Sequence, residues 1–441
     1  MTLVEALSRA LVGLAGATGA GWLVSRPVTW GLTRRERFAW ALASGLLVQA
    51  VALLALLAIG VRPSGWRLLL LEAIAGGLAL AALRRRPEAA ALERRADSSL
   101  LAWLLLGVAA LAWLVFLGES VADGMWGTDF LAFWGYKGKI VFLTSGLPRR
   151  LFQDPALYFA HREYPLLVSL SLAALAAFVG RWNDQAIALL YPVCALATLL
   201  ALSGFLERRV SRLAGAGAAA LAALCAFLYK AGNAGTAEIP FALSAVLASS
   251  AAIDWLSRDR AANPWRLALA SLFCAALKQE GTLFAVLLAA VLWLKTRGEG
   301  LAPRRRRLAV AALVLPALAH WILLYLLRGN QTRRDFDFTL FTPERWRELP
   351  ALFALVAGRF LRIGWTEALV PILAIVVIFL VTRRGMAAPI LPVFPTQIFF
   401  YAVAFTVSSF DPLYAIDGAF RRITMSLFPA FTLVLCSRET R

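Results

Sequence analysis

Long apolar runs separated by short polar turns organise the chain. Phe38–Gly60, Leu100–Leu117, Ala186–Leu206, Ala237–Trp255, Leu308–Leu327, Leu369–Val381 and Pro389–Val407 carry few or no charges. About 20 apolar residues match the ~30 Å hydrocarbon layer of a bilayer. Lipid offers backbone amides no partner, so each run predicts a helix. A Gly/Ala-rich stretch, Ala6–Val24, predicts a first span, and Met1–Arg9, which contains Glu5, lacks the basic start of a cleaved signal peptide. The pattern predicts an all-α polytopic membrane protein.

Basic residues orient these helices. Arg-rich short segments occur at Arg26–Arg37, Arg84–Arg95, Arg208–Arg212, Arg258–Arg266, Lys295–Arg307 and Arg383–Arg384. The positive-inside rule puts them on the cytoplasmic side. They share that side only if the apolar run Tyr164–Gly180, opened by Pro165, does not cross. That run is therefore expected to be a juxtamembrane or re-entrant helix. The resulting topology has about thirteen spans, an outside N-terminus and a cytoplasmic C-terminus, in the inner (plasma) membrane.

Composition agrees with this reading: 61% of the residues are apolar and 16% charged, against about 45–50% and about 25% in soluble domains. The net charge of +19 follows from the basic turns beside the spans, so nucleic acid is not an expected partner. Cys194, Cys225, Cys274 and Cys436 fall inside apolar stretches as small buried hydrophobes. Two histidines without Cys/His clustering argue against structural zinc. His320, inside a span, reads as a packing residue. Gly215-Ala-Gly217 reads as a small-residue face for close helix packing.

With this topology the acids Asp123, Asp129, Asp154, Glu163, Glu238, Glu280, Asp335, Asp337, Asp411 and Asp417 fall at the outer face, with Lys137, Lys139, Lys278, Arg421 and Arg422. Glu72 is the acid expected deep in a span. A transporter would carry ionisable groups near the midplane, often in repeated halves. Here the polar chemistry gathers at one interface. The first outer loop, 118–184, is long. Its segment from Gly127 to Ile140 predicts an interfacial amphipathic helix, with Asp129, Tyr136 and Lys139 on one face and Phe130, Trp134 and Val141 on another, in lipid. His161-Arg-Glu-Tyr-Pro-Leu-Leu opens a second short helix. A second outer segment, 328–366, reads as a lid or as interfacial helices.

The order of these features resembles the GT-C superfamily of polyprenyl-phosphate-sugar glycosyltransferases, which includes protein O-mannosyltransferases and the aminoarabinose transferase of lipid A. An outer loop carries an Asp-bearing helix and then an acid-Tyr-Pro-Leu helix. Asn233-Ala-Gly-Thr-Ala-Glu-Ile-Pro-Phe-Ala-Leu, Ala276-Leu-Lys-Gln-Glu-Gly-Thr and Arg422-Ile-Thr-Met-Ser-Leu-Phe-Pro429 resemble later family segments in the same order. The resemblance covers residues 100–441 as a catalytic domain and leaves extra helices in 1–99. It departs from the family in the first loop, where Asp123 and Asp129 are six residues apart rather than adjacent.

The resemblance implies transfer of a monosaccharide, with inversion, from a polyprenyl-phosphate donor to a lipid, glycan or protein acceptor at the outer face. The chemistry needs a carboxylate to take the acceptor's proton and a cation to hold the departing phosphate. Asp129 is expected as the base, with Asp123 as the competing assignment. Arg422, Arg421 and Lys278 are expected at the phosphate. Asp123, Tyr136, Lys139, His161, Glu163, Glu238 and Glu280 are expected around the acceptor or supporting the first group. No cofactor is required on chemical grounds, while the scattered acids leave a divalent ion open. Two other readings compete: a polymerase or ligase using polyprenyl-diphosphate glycans, with outer arginines and a histidine, and a lipid or glycolipid transporter.

Overall fold

The computed structural model describes residues 1–83, 99–146, 154, 160–161, 164–225, 230, 232–257, 262–298, 302–328, 342–363, 390–406 and 421–437. Among the described residues the regular structure is helical, without strands. The helices are α1 (Leu3–Ser25), α2 (Arg34–Ala58), α3 (Gly65–Leu83), α4 (Leu100–Asp123), α5 (Gly135–Thr144), α6 (Leu167–Val179), α7 (Asp184–Ile187), α8 (Leu190–Arg209) and α9 (Arg212–Ala223). They continue with α10 (Glu238–Leu256), α11 (Pro264–Leu277), α12 (Gln279–Gly298), α13 (Pro303–Arg328), α14 (Pro343–Ile363), α15 (Val393–Thr406), α16 (Arg421–Ser426) and α17 (Phe428–Cys436). A π-helical turn, Phe130–Trp134, precedes α5.

Among the described residues, eight helical stretches are long and apolar enough to cross a membrane: α1, α2, α3, α4, α7 with α8, α10, α12 and α13. Shorter apolar helices are Leu167–Val179, Arg212–Ala223, Pro264–Leu277 and Val393–Ala404. The predicted span Leu369–Val381 lies outside the described residues. Capping fixes several helix starts. Thr2 with Glu5, and Thr33 with Glu36, form reciprocal capping boxes that satisfy orphan amides. Asn263 caps α11, and Pro264 then takes a position where its missing N–H costs nothing.

Helix α10 sits at the centre, with every residue from Glu238 to Trp255 buried. It packs against α8, α11, α12, α16 and α17. Around it, α1 and α2 run antiparallel and cross closely, Gly21 lying on the Ala41 carbonyl and Gly45 on the Ala17 carbonyl. Gly215 meets the Ser203 carbonyl, so the small face of α9 packs on α8 as its sequence predicts. Helix α6 falls in the run expected to be a juxtamembrane or re-entrant helix, and it is too short to count among the crossing helices. Its 13 residues rise about 20 Å, short of the hydrocarbon layer, and all are buried. It packs among α1, α2, α3, α5 and α7 and is therefore enclosed by protein.

Described arginines from four of the arginine-rich segments converge. Arg35 pairs with Glu207 at 2.7 Å, and Arg208 bridges Glu36 at 2.8 Å and Asp254 at 3.0 Å. Arg209 and Arg266 also reach Asp254, at 2.6 Å and 3.1 Å. Arg305 donates to the Trp255 carbonyl at 3.3 Å, bringing the start of α13 to the same place. Arg208, Arg209 and Arg266 are thus buried partners of acids, not merely solvated or lipid-facing charges. Asp254 closes α10 while Glu238 opens it, so this arginine-rich end and the Glu238 end lie about 24 Å apart along the helix. That separation approaches the thickness of a hydrocarbon layer.

Candidate active site

The residues around Glu238 are positioned by two loops locked together. Asn233 accepts from the Ser120 hydroxyl at 2.7 Å and donates to Glu119 at 2.9 Å, tying the start of one loop to the end of α4. Gly127 N–H donates to the Ala234 carbonyl at 3.0 Å. A side chain at Gly127 would strike Ala234, and one at Gly235, whose φ is +76°, would strike Phe130. The Tyr191 hydroxyl donates to the Gly235 carbonyl at 2.9 Å. Two segments more than a hundred residues apart are thereby fixed so that Asp129 and Glu238 occupy one site.

Between α11 and α12 the chain breaks at Lys278, which is extended at φ −150° and ψ 155°. Gly281 lies against the Cys274 carbonyl, where a side chain would not fit, so the break stays tight. It turns Lys278 inward, and α16 brings Arg422 from the opposite side. The result is a continuous chain of charge. Arg422 Nη1 is 2.7 Å from Asp129 Oδ2, and Arg422 Nε is 3.6 Å from Glu238 Oε1. Lys278 Nζ is 3.2 Å from both Glu238 Oε1 and Glu280 Oε1. Gln397 closes this side, donating to the Glu280 carbonyl at 3.1 Å and to the Tyr401 hydroxyl.

Three carboxylates and two cations leave one surplus negative charge. Glu238 and Lys278 are almost fully buried, whereas the Asp129 and Arg422 side chains keep about a fifth of their surface exposed. Glu280, at the other end, is exposed to a similar degree, so the chain is sealed in its middle, at Glu238 and Lys278, and reachable at both ends. Burial alone would lower the Lys278 pKa; the Glu238 and Glu280 carboxylates outweigh it and hold it above the usual lysine value. Arg422 behaves likewise: burial opposes its charge, and Glu238 and Asp129 overcome that, raising its pKa. Both cations stay charged at neutral pH. Lys278, buried and doubly paired, does not snorkel to solvent.

Five of the expected site residues meet here: Asp129, Arg422, Glu238, Lys278 and Glu280. Others do not. Asp123 is exposed at the last position of α4, and the contacts go to Asp129. The amphipathic face predicted for residues 127–140 is broken by the π turn. Its extra residue rotates later positions by about 100° relative to an α-helix. Lys139 accordingly points outward with no contact to Asp129, and Tyr136 is half-buried against the core. Phe130, Trp134 and Val141, expected in lipid, are buried in the protein core, because the loop docks onto Ala234 and Gly235.

His161, in the left-handed region at φ +44°, stacks on Tyr164 with centroids 4.8 Å apart and meets Phe133 edge-on at 4.1 Å. Its carbonyl accepts from Lys137 Nζ at 2.6 Å. Lys137 was expected at the outer surface beside Lys139; it is fully buried instead, over Trp134 and Tyr164. Arg421 is the first residue of α16, with its side chain outside the described set, as are Glu163, Asp335, Asp337, Asp411 and Asp417. In the second outer segment α14 packs on α15, Phe353 stacking on Phe399 at 5.4 Å. Gln397 and Tyr401 had no distinguishing signal in an apolar run. His320 was expected as a satisfied packing residue, but its Nε2 is buried without a hydrogen-bond partner. Among the described residues no three His, Cys, Asp or Glu side chains converge as metal ligands. Comparison with protein families, curated proteins and solved structures finds no significant match.

Proposed function

We propose that this protein is a membrane glycosyltransferase of GT-C type, moving a monosaccharide from a polyprenyl-phosphate donor to a lipid, glycan or protein acceptor. The reading places the arginine-rich end in the cytoplasm and the charge chain at the outer face, following the positive-inside rule. The observation that carries it is the partly exposed pair of Asp129 and Arg422, 2.7 Å apart, backed by the buried Glu238–Lys278 pair.

In this mechanism the donor phosphate competes with Asp129 for Arg422. Binding of the donor frees the Asp129 carboxylate, which takes the proton of the acceptor hydroxyl. The acceptor oxygen forms a bond to the anomeric carbon while the bond from that carbon to the phosphate oxygen breaks. The electron pair leaves on the phosphate, whose charge Arg422 neutralises. Glu238 and Lys278 hold Arg422 in line and act as positioning residues.

Lipid mass spectrometry on cells lacking the protein tests this reading. A polyprenyl-phosphate sugar is expected to accumulate, to clear with the wild-type chain and to persist with Asp129→Asn. An unchanged lipid profile would overturn the transferase assignment.

A further inference from the structure

The first three helices carry a polar contact in their interior that the charge chain does not use. Gln49 Nε2 of α2 donates to Glu72 Oε1 of α3 at 2.9 Å and to the Gly13 carbonyl of α1 at 3.3 Å. Both side chains are buried, Gln49 at 0% and Glu72 at 1% exposure. The contact lies near mid-depth. Glu72 is about 10 Å along α3 from Gly65, and Gly13 about 15 Å along α1 from Leu3, against a hydrocarbon layer of ~30 Å. Leu68, Glu72 and Gly76 recur every four residues on one side of α3. Leu68 and Glu72 are buried, and a side chain at Gly76 would strike Leu23 of α1.

Two oxygens of this contact are left over. Glu72 Oε2 and Gln49 Oε1 are both buried without a hydrogen-bond partner. The Gln49 amide is oriented by its two acceptors, since both call for the nitrogen. Glu72 Oε2 is aimed at Gly16 of α1, where an added Cβ would come within 2.7 Å of it.

Among the described residues no cation pairs with Glu72. Helix α3 packs against α1, α2 and α6, and α6 has no titratable side chain. On α1, Arg9 lies 3.9 Å from Glu5 and donates to the Val179 carbonyl. On α2, Arg34, Arg35, Glu36 and Arg37 open the helix, about 18 Å or more from Gln49. Arg67, on α3 itself, donates to the Arg62 carbonyl at 2.6 Å.

A carboxylate in this position would be an uncompensated charge where nothing solvates it, and a group so placed takes up a proton instead. The protonated carboxyl carries a hydroxyl donor, the kind of group that Gln49 Oε1 lacks. One proton thus removes the charge and supplies a donor at the same place.

We infer that Glu72, seated between Gly16 and Gln49, is a proton-binding site in the membrane interior, loaded at neutral pH, and that α3 docks on α1 and α2 in the loaded state. Unloading breaks the carboxyl O–H bond, passes the proton to water and leaves the electron pair on Glu72, as a carboxylate with Gln49 for its donor. The site lies in the first three helices and is independent of the transfer chemistry.

Infrared spectroscopy of the purified full chain in an ester-free detergent tests it. At about pH 7, where an ordinary carboxyl is ionised, wild type is expected to show a protonated-carboxyl stretch that Glu72→Gln lacks. As pH rises the band should vanish, and wild type should melt progressively lower relative to Glu72→Gln, whose amide has no such proton to lose. Wild type without the band at neutral pH, in sodium chloride and in choline chloride alike, would overturn the proposal whether or not the variant folds. A band shared equally by wild type and Glu72→Gln would also overturn it. A band seen in choline chloride and lost in sodium chloride would replace the proton with a sodium ion as the ligand. Loss of the band at high pH with no relative fall in melting temperature would overturn the docking of α3.

Discussion

The Arg422 guanidinium lies 2.7 Å from Asp129 and 3.6 Å from Glu238, so one cation joins the first-loop carboxylate to the buried carboxylate that opens α10. The two acids differ in environment. Glu238 is sealed and also held by Lys278, while Asp129 is partly exposed and has Arg422 as its ion-pair partner. A carboxylate that is accessible and can exchange its partner is suited to accepting a proton. A sealed one is suited to fixing geometry.

Asp129→Asn should therefore abolish transfer while sparing the fold. Asn keeps a carbonyl oxygen for Arg422 but cannot take a proton. Loss of a general base costs about 10²–10⁴-fold in rate, whereas loss of a partly exposed ion pair costs about 1 kcal/mol or less. Turnover of a polyprenyl-phosphate sugar and thermal unfolding in detergent, measured on the same preparation, separate the two. Retained turnover would remove Asp129 from the chemistry.

Gly127→Ala acts on the same carboxylate without touching it. The added methyl group would strike Ala234, forcing apart the loops that bring Asp129 to Arg422. Overpacking of this kind costs about 1–3 kcal/mol. The transfer rate per folded molecule should also fall, and a rate unchanged alongside a lowered melting temperature would show that the loop docking does not set the geometry of the site.

Lys278 makes a prediction about pH. It lies between helices, outside the spans, and its folded pKa is raised above the ordinary 10.5 by Glu238 and Glu280. A raised pKa means that its stabilisation is fully present below pH 10.5 and is lost as pH climbs through the folded value. Lys278→Met removes the nearest cation of the buried Glu238, leaving it Arg422 at 3.6 Å, and also unpairs the partly exposed Glu280, at a cost of up to about 3–5 kcal/mol. The difference in melting temperature between wild type and Lys278→Met should hold steady up to about pH 10 and shrink above it. A difference that shrinks already between about pH 8 and pH 10 would contradict the assignment.

The sequence and the structure agree where one physical rule dominates. Apolar length located α2, α4, α10 and α13, and the sidedness of arginine put Arg35, Arg208, Arg266 and Arg305 at one end. The acids Asp129, Glu238 and Glu280 were legible as a group because excluding them from lipid leaves few other places for them. The interior of the first loop was not legible. A single π turn changes the helical register after Asp129, and nothing in Phe-Leu-Ala-Phe-Trp announces it. Lys137 was missed for a related reason: a lysine next to Lys139 looks solvated until Trp134, Tyr164 and the His161 carbonyl enclose it. The ion partners of Asp254 were hidden because arginine beside a span already has an explanation in topology.

Asp254 provides a control at the far end of α10. It is fully buried and accepts three guanidiniums, from Arg208, Arg209 and Arg266. An acid at a helix C-terminus is disfavoured by the helix dipole, so these arginines must outweigh that penalty. Two Arg266 nitrogens remain buried without hydrogen-bond partners, which leaves Asp254 as its ion-pair anchor. Asp254→Asn would take the shared carboxylate from these buried guanidiniums, at a cost of about 3–5 kcal/mol. That exceeds the expected cost of Asp129→Asn, yet Glu238, beside the proposed site of transfer, is about 24 Å away. The Asp254 variant should melt well below wild type in detergent while its transfer rate per folded molecule stays near the wild-type value. The Asp129 variant should do the reverse. If Asp254→Asn also silenced the folded fraction, α10 would be transmitting changes at its arginine-rich end to Glu238, and the two charge networks would have to be treated as one device.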